Sequence, residues 1–279
     1  PAGAAVITSG SGGSGGSSFL SGSGAPGSIP ASLGDSYMDT DSSNLYKLIT
    51  AKNTSAQVTT VYGDGNAGLV NASGQSAQFN APASIAQDAS GNIYVNDRGN
   101  QVIRKITPDG TVSTFATGFN YALQIATDTS GNVYCANQYG MNVFKIDASG
   151  NKEQFGPSFG GPMGVAIDNS GNILVSDSNN HRICRLDASG NMSVYAGTGS
   201  AGSSNGNGTS ASFHYPGYLV VDASDNIFVA ETYAHRIRKI DGSGNVTFYA
   251  GSTNLTAGFS NGTGSDALFN NPHGITLDT

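Results

Sequence analysis

Two pairs in this 279-residue chain, His181-Arg182 and His235-Arg236, stand four and five residues beyond an acid, Asp177 in the first case and Glu231 in the second. An imidazole close to a carboxylate is the basic unit of proton-transfer chemistry, so these pairs are the first place to look for catalysis. Their recurrence argues otherwise, because a catalytic constellation is needed once whereas these residues return at the same point of a repeated sentence. The economical expectation is a structural side-chain network of Asp177, His181, Arg182, Glu231, His235 and Arg236 that ties neighbouring strands together. Asp88, Asp128, Asp168, Asp222 and Asp278 end the inner strands, the first four at the head of Asp-Ala-Ser-Gly-Asn-like stretches. Such stretches suit turns in which the carboxylate accepts backbone N–H bonds, and they lack the ligand density and terminal Glu of a calcium loop. Aromatics in or near the connections, Tyr121, Tyr139, Phe213, Tyr215, Tyr218 and Tyr233, suit glycan stacking or protein contact as well as ordinary packing. Tyr121, Tyr139, Tyr215, Tyr218 and Tyr233 are the candidate binding aromatics.

Composition narrows the partners. Only 11% of the residues are charged, against about a quarter in an average soluble domain. Twelve Lys and Arg face nineteen Asp and Glu, for a net charge of -7. An acidic chain of this kind repels a phosphate backbone, so nucleic acid is not an expected partner. No run approaches the length of a membrane span, and membrane insertion is not expected either. Cys135 and Cys184 sit at non-equivalent places in different repeats, which predicts free, buried thiols.

The sentence that carries these residues is repeated. Related stretches begin at 81, 120, 161 and 215, and their Gly-Asn anchor falls at 91, 131 and 171, with Asp225 in place of the Gly in the fourth copy. Each copy holds four short runs rich in Val, Ile, Tyr and Phe, separated by turn signals, the pattern of consecutive antiparallel hairpins. Four strands in about 40 residues make one propeller blade. The expected fold is all-β: a propeller of four-stranded antiparallel blades, about six in number.

These residues resemble the NHL repeat family, whose bacterial members carry a form like GNxYVADxxNHRIRKI. DSNNHR at 177–182 and ETYAHRIRKI at 231–240 nearly reproduce it. The resemblance covers 81–279 well and 36–65 in degraded form. Peptidyl-amidoglycolate lyases among the similar propellers hold a metal with His residues at the start of inner strands. Here only His273 stands at such a position, the other blades offering Ala83, Leu123, Met163 and Gly217. A gluconolactonase-like calcium site would use inner-strand Glu, and the two Glu of the chain, Glu153 and Glu231, fall elsewhere. The resemblance therefore carries over no cofactor and no metal.

The two ends pose a separate problem. The chain stops at NPHGITLDT, matching only the first strand of a blade, and that strand needs partners. The segment 34–65 supplies strand-like runs, so the reading pairs first and last segments into one blade, within the chain or between neighbours. Residues 1–33 read as a flexible Gly/Ser-rich arm and 34–279 as the propeller. Ala4, Ala5, Val6 and Ile7 form a short apolar run on that arm, a candidate donated strand. The stretch from Gly24 to Leu48 resembles the segment that follows collagen-like stalks in bacterial surface proteins and phage tail fibres, with a GDxYxDTxxxxLY hairpin.

Low charge, abundant hydroxyls and amides, and seven Asn-X-Ser/Thr sequons point to an extracellular or cell-surface protein. The functional expectation is a non-catalytic structural or adhesive module, not an enzyme, whose partners are protein, self-association included, or glycan. Fibre assembly by terminal strand donation would follow from the incomplete ends. The alternatives are a propeller hydrolase or lyase with a metal in its central channel, and a ligand-binding sensor domain.

Overall fold

The computed structural model describes residues 58–277 and, ahead of them, four backbone strands at 5–7, 19–22, 36–39 and 44–48. Ala5–Ile7 is β1. Blade 1 is β2 (Phe19–Gly22), β3 (Ser36–Asp39), β4 (Asn44–Leu48) and β5 (Val58–Tyr62). Blade 2 runs β6 (Pro82–Gln87), β7 (Ile93–Asp97), β8 (Val102–Ile106), β9 (Val112–Thr117). Blade 3 runs β10 (Ala122–Thr127), β11 (Val133–Asn137), β12 (Asn142–Ile146), β13 (Lys152–Gln154). Blade 4 runs β14 (Pro162–Ile167), β15 (Ile173–Asp177), β16 (Arg182–Leu186), β17 (Met192–Ala196). Blade 5 adds β18 (Gly206–Asn207) outside β22 (Asn245–Gly251), followed inward by β21 (Arg236–Ile240), β20 (Ile227–Glu231) and β19 (Leu219–Val221). The sixth sheet pairs β23 (Ile275–Leu277) with β1. The molecule is thus an all-β propeller, and its only helical turns among the described residues are single 3-10 turns.

Period-two alternation makes each blade two-faced. In blade 4, Val165, Val175 and Cys184 stand in register and pack with Tyr134, Ala136 and Val143 of blade 3. Their neighbours Ala166, Leu174 and Ile183 turn the other way, onto Leu219, Ile227 and Val229 of blade 5. Each fully buried aliphatic side chain contributes roughly 1.5–3 kcal/mol. A strand covered by blades on both sides therefore has no polar face, as the sequence of β14 and β15 shows.

The turns repeat as well. Asp88 Oδ1 accepts the N–H of Ser90 and of Asn92, each at 2.9 Å, and Gly91 closes the turn at φ +81°. Asp128, Asp168 and Asp222 repeat the arrangement, with Asp225 at φ +59° where the other copies have Gly. Short polar side chains tolerate this left-handed backbone better than bulky ones.

The N- and C-terminal segments meet as expected, but not through the stretch 34–65 that the sequence-based reading paired with 271–279. Strands β3, β4 and β5 instead form a sheet with β2, whose register with β3 is parallel (Phe19↔Ser36). The last strand takes β1 in parallel, Ala5↔Ile275 through Ile7↔Leu277. Inner strands β23 and β2 lie against each other, so the first and last sheets meet. The reason is an edge: β23 offers unpaired backbone groups, and the run at 5–7 satisfies them within the same chain. Ala4 and Asp278 lie outside the described residues. The hairpin at Ser36–Leu48 is present.

A candidate ligand site at the channel mouth

The recurring His and Arg residues lie between blades. Asp177 is fully buried; its Oδ2 receives Arg182 Nε at 2.8 Å, and its Oδ1 receives the Gly160 N–H at 2.6 Å. Glu231, also fully buried, accepts from Arg236 Nε and from the His214 N–H, and Arg238 Nη1 stands 3.7 Å away. His181 and His235 each sit at a left-handed backbone position, φ 52° and 55°. Their Nδ1 atoms accept the N–H of Tyr215 (3.2 Å) and of Asn271 (3.1 Å), residues that lead into the inner strand of the following blade. In blade 2, Arg104 reaches Asp97, the Val70 and Gln78 carbonyls and Asn71, clasping the long linker before its own blade. Arg238 clasps the linker before blade 5 in the same way, through Ser204, Asn205 and Ser212. Burial alone would depress both guanidinium groups, and an acid beside each, Asp97 or Glu231, opposes it.

Two layers of inner-strand side chains cross the axis. The outer layer is Ala83, Leu123, Met163, Gly217 and His273; the next is Ser84, Gln124, Gly164, Tyr218 and Gly274. The second layer is a plug that alternates large and absent side chains. Gln124 passes over Gly164, its Oε1 accepting from Val165 N (3.2 Å) and Leu219 N (3.0 Å) and its Nε2 donating to Leu219 O (2.8 Å). Tyr218 crosses the channel to donate to Ala83 O at 3.3 Å. Burial pushes its phenol well above the ordinary value. Beneath the plug lies a cavity of about 290 Å³ walled by inner strands, Ile125, Val165 and Val221 among its lining.

Above the plug, on the side where inner strands begin, the mouth carries His273 with its ring 4.3 Å from Tyr218. Burial, and secondarily the Arg98 charge, push this imidazole down to about 4, so it is neutral at physiological pH. Arg98 belongs to the 3-10 turn between β7 and β8. At the equivalent position Ser178 and Thr232 fasten the following blade, donating to the carbonyls of Pro216 (2.5 Å) and Pro272 (2.9 Å). Arg98 does neither; its guanidinium lies 4.9 Å over the Tyr121 ring, and Tyr121 stacks on Tyr139 at 4.4 Å with rings 16° apart. Among the described residues no carboxylate stands within ion-pair distance of Arg98, whereas Arg104, Arg182, Arg185, Arg236 and Arg238 all have one.

The candidate aromatics divide accordingly. Tyr121 and Tyr139 form the column with Arg98, and Tyr139 is 61% exposed. Tyr215 meets His181, His214 and Tyr233 edge-on at 4.5, 5.1 and 5.7 Å. Tyr218 is buried in the plug, 3% exposed, and meets the site only through His273. Tyr121 and Tyr215 hold φ of 56° and 50°, a conformation costly for a bulky residue, at a position filled by Gly161 and Asn271 in other blades. Arg98 was missed in the sequence because it matches no repeated residue; that singularity was its signal. Among the described residues no three His, Cys, Asp or Glu side chains converge as a metal-ligand set.

A family model for the NHL repeat matches residues 159–186. No curated protein matches the chain in sequence. Among solved structures it is similar to a catalytically inactive histidine-to-alanine variant of virginiamycin B lyase from Staphylococcus aureus with quinupristin. That likeness has a TM-score of 0.56 and 16% identity, over 77% of this chain and 65% of that one. A streptogramin B lyase gives 0.56 and 14%, over 86% and 83%. An auxiliary nutrient binding protein from Bacteroides thetaiotaomicron gives 0.62 and 19%, over 84% and 61%. The chain thus spans less than two thirds of the first and third of these, and the likeness is one of fold. The expectation that the chain is not an enzyme is corrected by these findings, because the fold it shares includes lyases. Its physical flaw was to rest on repeated residues, which report on blade joints, and to leave Arg98, which occurs once, unweighed. The adhesive and fibre readings draw no support from them. Among the described residues no helix is long and apolar enough to cross a membrane.

Proposed function

We propose that the chain is a ligand-binding propeller that takes a small ring-bearing ligand, a glycan in the first instance, at the channel mouth above the Tyr218–Gln124 plug. One observation carries the reading: Arg98, where other blades place the fastening Ser178 and Thr232, lies over the ring of Tyr121, which stacks on the exposed Tyr139, near neutral His273. A partly exposed aromatic stack at strained backbone, with a cation that has no carboxylate partner among the described residues, is what a recognition surface requires. The nutrient-binding neighbour adds the support of a shared architecture. An extracellular or cell-surface location belongs to the same reading, supported by the low charge and amide-rich surface.

The test is a titration of the full chain with a panel of mono- and oligosaccharides, followed by NMR at the His273 and tyrosine ring resonances. Saturable shifts confined to the mouth, lost in Tyr139→Ala, are the expected result; shifts absent or scattered over the surface overturn it. A second reading, turnover of the bound ligand at the same mouth, is favoured by His273, an uncharged imidazole beside Tyr218 able to hold or pass one proton. New product signals in the same titration, absent in His273→Ala, would establish it.

A further inference from the structure

Tyr139 stacks on the Tyr121 ring and the Arg98 guanidinium lies over the same ring, with Tyr121 38% and Tyr139 61% exposed. The group thus offers two contacts of different kind, an exposed phenol ring at Tyr139 and a guanidinium at Arg98, and a ligand that touches both must be longer than one ring. The Arg98 end is cationic, without a carboxylate partner among the described residues, in a chain of net charge -7. The Arg98 side chain is held in place by stacking and leaves its planar fork of donors for an anion. His273, close enough to feel the Arg98 charge, adds a polar ring edge at the same end without adding a second charge.

Main-chain recognition is not on offer at this place. The Gly99 N–H goes to Asn80 O, that of Gln101 to Arg98 O, that of Gln138 to Tyr121 O and that of Tyr139 to Asn120 O. A peptide adding as a strand would find those donors taken. What remains is a flat exposed phenol ring and a guanidinium fork, the pair of contacts suited to a sugar face and a carboxylate.

Resting on the binding reading above, we infer that the ligand is an acidic oligosaccharide of at least two units, with a uronate carboxylate on Arg98 and a neighbouring sugar ring on Tyr139. The carboxylate meets no competing acid among the described residues, and the Tyr121 ring, in contact with both Arg98 and Tyr139, holds the two in a common group.

Calorimetry on the full chain with digalacturonate, its methyl ester, galacturonate, benzoate and acetyl-Ala-Asp tests this. Digalacturonate should bind about ten- to a hundredfold more tightly than its methyl ester, the range expected for one charge-assisted fork. Arg98→Gln should remove that preference and Arg98→Lys restore only part of it, with unchanged circular dichroism in both. Equal binding of acid and ester overturns the acidic assignment and leaves the binding reading standing. Equal binding of galacturonate and digalacturonate overturns the two-ended ligand, and tighter binding of benzoate or the peptide overturns the sugar. Absence of any saccharide shift at Tyr139 and His273 sinks the binding reading and this inference together.

Discussion

His181 and Tyr215 join blades 4 and 5 through one hydrogen bond, the Tyr215 N–H donating to His181 Nδ1 at 3.2 Å. Both residues sit at left-handed backbone, so each holds the other in a conformation it would not adopt alone. Nδ1 can accept only while the imidazole is neutral and carries its proton on Nε2; protonation turns the acceptor into a second donor facing an N–H. Burial first, then the neighbouring His214, lower the His181 pKa, with Glu231 opposing. A lowered folded pKa gives stability that is whole above the unfolded value and lost as pH falls through the folded one. The melting temperature should therefore begin to drop as the pH falls below about 6.5, the unfolded histidine value. His181→Gln should flatten that part of the profile; an unchanged slope in that variant would show that the latch does not titrate.

Glu231 and Arg236 make the corresponding joint deep in blade 5, where both side chains are almost wholly buried. Removing the acid leaves Arg236 and Arg238 facing each other without a counter-charge. Glu231→Gln should cost about 3–5 kcal/mol in urea unfolding, the range for breaking one side of a buried pair. The less buried pair Arg185–Asp168 offers an internal comparison at 3.0 Å, and Arg185→Gln should cost less than Glu231→Gln, about 1 kcal/mol.

The fold was legible because one physical demand recurs. Every blade needs a Gly or short polar residue at the Asp turn, an apolar inner strand and a fastening at its joint, so 81–250 announces itself through Asp88, Gly91, Arg104 and their successors. The ends were partly legible: the last strand was short of partners and the run at 5–7 stood out as a donor, but nothing local encodes that β1 and β23 pair with each other in parallel across the whole chain. The site was half legible. Tyr121, Tyr139, Tyr215 and Tyr233 stood out as aromatics in connections, but Tyr218 lies one layer deeper, where alternate residues turn into the channel. Arg98 escaped because alignment of repeats keeps what recurs and discards what occurs once, and chemistry at an axis needs to occur only once.

Tyr121 stands at φ 56°, where a bulky residue pays about 1–2 kcal/mol that Asn or Gly would largely avoid. Tyr121→Asn should therefore unfold within about 1 kcal/mol of the parent, lost stacking and relieved backbone offsetting each other. Ligand affinity at the mouth should fall by about tenfold or more, since Arg98 and Tyr139 lose the ring that both contact. Calorimetry paired with urea unfolding checks both; a large stability loss with intact affinity would make Tyr121 a packing residue.

Gly164 is the gap through which Gln124 crosses the axis. A Cβ at this position would press on the Gly217 carbonyl oxygen and come within 2.9 Å of Ser176 Oγ and 3.1 Å of Gln124 Oε1. Backbone cannot yield as a flexible side chain can, so Gly164→Ala should destabilise by about 1–3 kcal/mol or more, as overpacking does. Gly242→Ala, where the added carbon would meet only the Ser224 carbonyl oxygen at 3.4 Å, should be close to neutral. If the plug is what separates the mouth from the cavity below, Gln124→Ala should open it. A small apolar probe such as xenon should then shift Tyr218 and His273 resonances in the variant and leave them unmoved in the parent.

Cys135 and Cys184 are free and buried in different blades. Burial raises both thiols, Cys184 to about 12, with Asp177 beside it adding to the effect. A thiol held so far from its reactive thiolate and shut away from solvent should not react with a disulfide reagent at neutral pH. Both should titrate in urea, and at the rate of global unfolding, because each lies in a sheet covered on both faces by neighbouring blades. Reaction of one thiol ahead of the other would place a local opening at its blade: at blade 3 if Cys135 leads, at blade 4 if Cys184 does.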